Sequence, residues 1–317
     1  MLIVSLYRKY SSLITYSYLR NMRPLLTSAS PGFKIAYLLI FLIIGVFVAG
    51  VFSKLIFLFP LIDSNNEIVT LYVYTISQSI FAIALPAYLI IAFTNTKPNF
   101  YLKIRSVDRN IHDRSINILF TILVFILSYV FASFLATMNK GMTLPESMSG
   151  IEDAMRSMED AALETTNLLL SGDSIGSLIL SIVVIAALAA VSEELFFRGA
   201  MQQFIQEKLK NEHQAVWLTA IIFSIIHFQF YGFLPRLFLG LILGYLFFYT
   251  KNLWMPIILH FLNNATVIVV NFFWRDTMWY NKIEEITITS SYIIIALISL
   301  IITVLLFISY NKRAAKI

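Results

Sequence analysis

The stretch AALAAVSEELFFRGA, from Ala186 to Ala200, places two adjacent carboxylates, Glu193 and Glu194, in an otherwise apolar run. An ionisable group in such a run costs roughly 2.5 to 3.5 kcal/mol on insertion scales, so it calls for a partner or a task. Successive helical residues point about 100° apart, and the two carboxylates are therefore expected to address different places. Glu194 stands four residues before Arg198, the favourable order for a helical ion pair, and such a pair neutralises one carboxylate. Glu193 is then left over. It shares its side with Ala186, Ala189 and Ala190, small residues that leave room for water or an extended substrate backbone. A carboxylate facing a confined cavity suits a general base. The competing reading is a polar helix end, if the helix stops nearby.

Two further motifs carry chemistry. FSIIH places Phe223 and His227 four residues apart on one helix face, and HFLNN does the same for His260 and Asn264, with Pro256 one turn earlier and Asn263 as the neighbouring alternative. Taken singly, an intramembrane histidine reads as a buried neutral imidazole, and an asparagine as glue between helices. Together, a carboxylate, two imidazoles and an amide on three helices provide a base to activate water and donors to hold an oxyanion. Ser192 and Ser224 lie beside these motifs, but neither sits in a Gly-rich strand-to-helix elbow or has an obvious Lys partner. With no cysteine in the chain, thiolate chemistry is excluded and attack by water is the simpler route.

The elements that must position these groups are transmembrane helices. Of 317 residues 59% are hydrophobic and 13% charged, and the mean hydropathy is +0.80, outside the usage of soluble proteins. Runs of roughly 20 apolar residues, the length that crosses a bilayer, occur eight times. They lie at about Ile35–Phe52, Val69–Thr94, Ile116–Met138, Ser177–Ala200 and beyond, Ala215–Phe230, Leu234–Tyr249, Trp254–Phe272 and Tyr292–Tyr310. The fold class expected is all-α, a polytopic bundle of about eight transmembrane helices.

The net charge of +5 resides in short loops, which points to membrane orientation rather than nucleic acid. Lys97, Lys103, Arg105, Arg109 and Arg114 mark one loop as cytoplasmic. Glu146, Glu152, Asp153, Glu159, Asp160, Glu164 and Asp173 mark the next as external. Both termini are then expected inside, with the basic residues Arg8, Lys9, Arg20, Arg23, Lys34, Lys208, Lys210, Lys251, Lys312, Arg313 and Lys316. The N-terminal stretch lacks a small-residue cleavage site, so no removable signal peptide is expected.

From Glu146 to Leu170 the acidic loop reads as an amphipathic helix on the outer bilayer surface, with Met148, Ile151, Met155, Met158, Ala162 and Leu169 along one face. A plain connector is the alternative. Gln202–Lys210 reads as the exposed end of the fourth helix or a short interfacial one. The expected divisions are a cytoplasmic N-terminal segment 1–34, three helices over 35–138, an acidic loop 139–176, a catalytic core 177–272, and a last loop, final helix and basic tail over 273–317.

The motifs EExxxR, FxxxH and HxxxN, each present once and in order at Glu193, Glu194 and Arg198, at Phe223 and His227, and at His260 and Asn264, resemble the signatures of the CPBP family. That family includes the eukaryotic prenyl-protein endopeptidase Rce1 and the bacterial abortive-infection proteins, and the likeness covers roughly Ser177–Phe272. The resemblance implies a glutamate-dependent intramembrane endopeptidase of eight helices. Glu193 with His227 would activate water, His260 and Asn264 would stabilise the oxyanion, and Glu194 with Arg198 would order the helix.

No cofactor is expected. A zinc site made of Glu193, His227 and His260 is the alternative, although HExxH is absent. A non-catalytic membrane partner in bacteriocin immunity or regulation is another. The expected substrate is a membrane-associated protein or peptide precursor, and the expected location is a bacterial cytoplasmic membrane. Counting from helix ends at about 1.5 Å per residue puts His260 roughly 9 Å deep and His227 nearer 20 Å, so straight helices would align them poorly.

Overall fold

The computed structural model describes residues 26–60, 62–95, 97–103, 111–278, 280 and 287–314. Arg8, Lys9, Arg20, Arg23, Arg105, Arg109 and Lys316 lie outside the described residues, as do the side chains of Arg114 and Arg313. Among the described residues every regular element is helical. The main ones are α1 Pro31–Ile56, α2 Glu67–Thr94, α3 Ile111–Lys140, α4 Ser149–Leu169, α5 Ile175–Leu209, α6 Glu212–Ile225, α7 Phe233–Thr250, α8 Trp254–Trp274 and α9 Ser290–Ala314.

All but α4 and α6 are long and apolar enough to cross a membrane, and the chain is an integral membrane protein built as an all-α bundle. Large apolar side chains point outward, Phe47 on α1 at 73% exposure and Ile301 on α9 at 57%, as they do where hydrocarbon is the solvent.

Helix starts follow local chemistry. Ser30 precedes Pro31 and accepts from the Phe33 N–H at 3.4 Å, Asn66 accepts from Val69, Ser174 from Ser177, and Asn211 from Gln214. Each satisfies an amide that has no partner in the first turn. α5 is not uniform: π-helical stretches at Ile182–Leu188 and Leu195–Met201 bracket the α-helical Ala189–Glu194. A third, Gln78–Ala84, lies in α2 just before Pro86 and packs on Ala189–Glu194. Such bulges insert extra residues into the turn and re-aim the side chains beyond it.

The fifth apolar run differs in form from a full span. α6 has 14 residues, about 21 Å, short of the roughly 30 Å hydrocarbon core, and it turns at 226–232 directly into α7. The turn's polar groups are met by side chains: Ser224 Oγ donates to the Phe233 carbonyl at 2.7 Å, and Asn139 Oδ1 accepts from the Leu234 N–H at 2.8 Å. Irregular backbone within a bundle needs such substitutes because no water supplies them. α6 and α7 lie backbone to backbone. A Cβ added at Gly240 would stand 3.1 Å from Ala220 Cα, and one at Gly244 would stand 2.8 Å from Val216 Cγ1.

The acidic loop does form an amphipathic helix, α4, with no buried residue. One end is tied by Glu152, which accepts from the Leu144 N–H, and the other by Tyr72 Oη, which donates to the Leu169 carbonyl. The stretch 202–210 does end the helix with Lys208, Leu209 and Lys210 exposed, but its first half is not exposed. Gln202, Gln203, Phe204 and Ile205 are buried and continue α5, because they pack beneath α1, α6 and α7.

Candidate functional site

The second of the adjacent carboxylates is wholly enclosed. Glu194 and Arg198 are both 0% exposed and form the expected i, i+4 pair, with Nη1 donating to Oε1 at 2.6 Å. Arg198 Nη2 donates to the Gly240 carbonyl of α7 at 3.1 Å, and one turn on Gln202 Nε2 donates to the Gly244 carbonyl at 3.2 Å. The guanidinium lies 4.9 Å from the centre of the Phe223 ring. Desolvating two ions costs several kcal/mol each, and only surrounding hydrogen bonds make such a pair tolerable. The two glycine carbonyls were not singled out from sequence. The signal was there, in the matched four-residue spacings of Arg198 with Gln202 and Gly240 with Gly244.

His260, buried on α8, joins the two carboxylates. Its Nδ1 lies 2.8 Å from Glu194 Oε1, and its Nε2 lies 3.9 Å from Glu193 Oε2. An ionised Glu194 can only accept, so Nδ1 carries the proton of that bond and Nε2 is turned toward Glu193. This agrees with the expectation that Glu193 and Glu194 address different places. The directions diverge by about 100°, and the imidazole stands between them and presents one nitrogen to each.

Glu193 itself has a side chain 19% exposed, and its Oε2 is buried with no hydrogen-bond partner among the described residues. Ala186 and Ala190 on the preceding turns are fully buried.

His227 lies beyond the last residue of α6. Its Nδ1 is 2.6 Å from the Phe223 carbonyl, which leaves Nε2 available, and it stands within coulombic reach of Glu193 and His260. Phe223 is the spacer between the imidazoles, its ring 5.0 Å from that of His227 and 6.1 Å from that of His260. The depth difference counted along straight helices therefore does not separate them. Asn264 Nδ2 donates to the Ile185 carbonyl at 3.3 Å, in the first π-helical stretch of α5, and Asn263 Nδ2 donates to Asn264 Oδ1 at 3.2 Å.

The structure thus gathers Glu193, Glu194, Arg198, Phe223 and His260 directly, with His227 and Asn264 at the margins. Among the described residues no three His, Asp or Glu side chains are arranged to hold a metal ion. The arrangement provides one tethered carboxylate, one untethered carboxylate, and an imidazole oriented by the first toward the second.

Residues 175–266 match the family model described as type II CAAX prenyl endopeptidase Rce1-like, and all three motifs fall within that stretch. The match is consistent with the CPBP resemblance and covers 92 of the 317 residues. A Bacillus subtilis (strain 168) protein, the uncharacterized protein YpbD, is 28% identical over 88 residues, which is 26% of this chain and 42% of that protein. The chain therefore spans less than half the length of the curated relative it matches. No solved structure matches.

Proposed function

We propose that the Rce1-like domain makes this chain an intramembrane endopeptidase in which Glu193 acts as general base on a water molecule. That water attacks a peptide bond of a membrane-associated protein or peptide precursor. The observation that carries this reading is Glu193, free of hydrogen bonds among the described residues yet 3.9 Å from an imidazole that Glu194 and Arg198 hold in place. A gap of that size is too long for a direct hydrogen bond and suits one water that accepts from the Nε2–H of a His260 imidazolium and donates to Glu193.

In this mechanism Glu193 takes a proton from the water as its oxygen attacks the carbonyl. His227 shares in orienting that water, while His260 and Asn264 donate to the developing oxyanion, and Glu193 returns the proton to the leaving amine. No resident metal is invoked. The ends bearing Lys208, Lys210 and Lys251, with both termini, face the cytoplasm of a bacterial cell, and α4 lies on the opposite side.

The test is cleavage of a peptide library by purified protein in detergent, comparing wild type with Glu193→Gln and His227→Ala, with and without chelator. Glu193→Gln is expected to lower kcat/KM by about 10²- to 10⁴-fold, the contribution of a positioned general base. Chelator is expected to have no effect. Undiminished cleavage by Glu193→Gln would overturn the mechanism, and chelator loss restored by zinc would replace it with the metal alternative.

A further inference from the structure

A cavity of about 360 Å³ opens between α4 and the tip of the α6–α7 hairpin. Met155 and Met158 form its α4 wall, and Ile225, Phe228 and Phe230 form its hairpin wall. Its size is at the lower end of the roughly 300–1,000 Å³ that hold small ligands. Two of its residues adjoin the motif in the chain, Ser224 next to Phe223 and Phe228 next to His227, which puts the cavity at the same end of α6 as His227.

Phe228 is 69% exposed and holds a positive φ of 53°, an uncommon geometry for a bulky side chain, which keeps its ring at the mouth rather than in the core. Methionine walls are soft and adapt to side chains of different shape.

The α4 helix that forms one wall carries an excess of carboxylates, while Arg236 at the hairpin tip donates to Gln229. α4 carries Glu152, Asp153, Glu159, Asp160 and Glu164 against a single cation, Arg156, and that cation is spent on Glu152 at 2.6 Å while it stacks on Tyr231 at 4.4 Å. Glu159 stands next to Met158 and accepts from Gln229 Nε2 at 3.3 Å, which fastens it to the hairpin tip. Farther along, Asp160 and Glu164 line a shallow groove on the exposed face of the helix. From Glu159 to Glu164 is about 7.5 Å along the axis, the reach of roughly two residues of extended peptide.

From this placement we infer that the cavity receives a bulky apolar side chain of the substrate beside the bond that is cut, and that the α4 carboxylates take a Lys or Arg two to four residues away. The substrate class is then an apolar segment with a basic flank. This rests on the endopeptidase reading of the site, so its test separates the two.

The probe is a twelve-residue apolar peptide carrying p-benzoylphenylalanine near its centre and two lysines three residues away, photolysed with the full-length Glu193→Gln protein in detergent. Labelling is expected at Met155, Met158 or Phe228. It should fall about tenfold in Met158→Trp, which fills the cavity, since a few methylenes in an apolar pocket discriminate on that order. It should fall a few-fold when the lysines are changed to glutamates or when Asp160 and Glu164 are changed to lysine, as exposed charge pairs do. No labelling at these side chains, or labelling spread over α1 and α9 and indifferent to Met158→Trp, overturns the inference.

The library cleavage run in parallel distinguishes the failures. Specific labelling without cleavage by wild type leaves the pocket standing and removes the protease reading. Cleavage whose preference for large over small residues is the same in Met158→Trp as in wild type does the reverse.

Discussion

Glu194 and Glu193 follow one another in α5, yet the first is 0% exposed and is held by Arg198 and His260, whereas the second is 19% exposed and makes no hydrogen bond among the described residues. The side toward α7 is closed: a guanidinium, two glycine carbonyls and a glutamine form a fixed polar ladder. On the other side, toward the buried Ala186 and Ala190, Glu193 has no comparable hydrogen bonds. Each carboxylate keeps a buried Oε2 without a hydrogen-bond partner among the described residues, but only Glu194 has its other oxygen held, by Arg198 and His260. The Glu194 side gives His260 its orientation, and in the proposed mechanism the Glu193 side uses it.

Three experiments, on five variants, would break or sharpen that contrast. The largest effect is expected from Glu194→Ala, which strands Arg198 as an uncompensated buried charge and should destabilise the protein by about 3–5 kcal/mol. Glu193→Ala removes an untethered carboxylate and should leave stability nearly unchanged or raise it. Thermal unfolding of both variants in one detergent reads the difference directly, and equal losses would show that the two carboxylates are structurally equivalent.

Next is Gly240→Ala, whose Cβ would press on Ala220 and push α6 from α7 behind the Arg198 ladder. About 1–3 kcal/mol is expected to be lost, whereas Gly50→Ala on the lipid-facing α1, where the added Cβ meets nothing within 4 Å, should be neutral or mildly stabilising. Comparable Tm values for the two would remove α7 from the support of the site.

The smallest effect concerns a second sheltered cation at the other end of the bundle. Lys103 lies over the Phe247 ring at 4.7 Å, and burial first, then the charge of Lys251, bring it down to about 8 from 10.5. Since the folded chain releases this proton more readily than the unfolded one, the charged form costs stability at every pH under about 8. That cost fades as pH rises from about 8 toward 10.5. Lys103→Met should accordingly raise Tm at pH 7, with the gain shrinking toward pH 10. A gain independent of pH would trace the effect to packing and not to charge.

Much of this architecture was legible in the chain. A bilayer demands long apolar runs whatever their partners, so the seven spanning helices announced themselves, and the amphipathic pattern of α4 did so through its methionine face. The Glu194–Arg198 pair was legible too, because i, i+4 contacts depend on one helix alone. The short α6 was not, since its apolar run continues through Ile226 and Phe228 after the helix has stopped. Ser224 and Asn139, from different helices, hold the turn that ends it.

What the sequence by itself determined is thus local: which segments are apolar enough to leave water, which caps begin them, and which side chains share a turn. These follow from hydrophobic transfer and from hydrogen bonds within a few residues. Only the tertiary structure decided that His260, 66 residues from Glu194, stands between two carboxylates that diverge along their own helix, that the Gly240 carbonyl of α7 accepts from Arg198, and that α4 walls a cavity against the α6–α7 hairpin. Those contacts join separate helices, and their geometry is set by how closely small residues let the backbones approach.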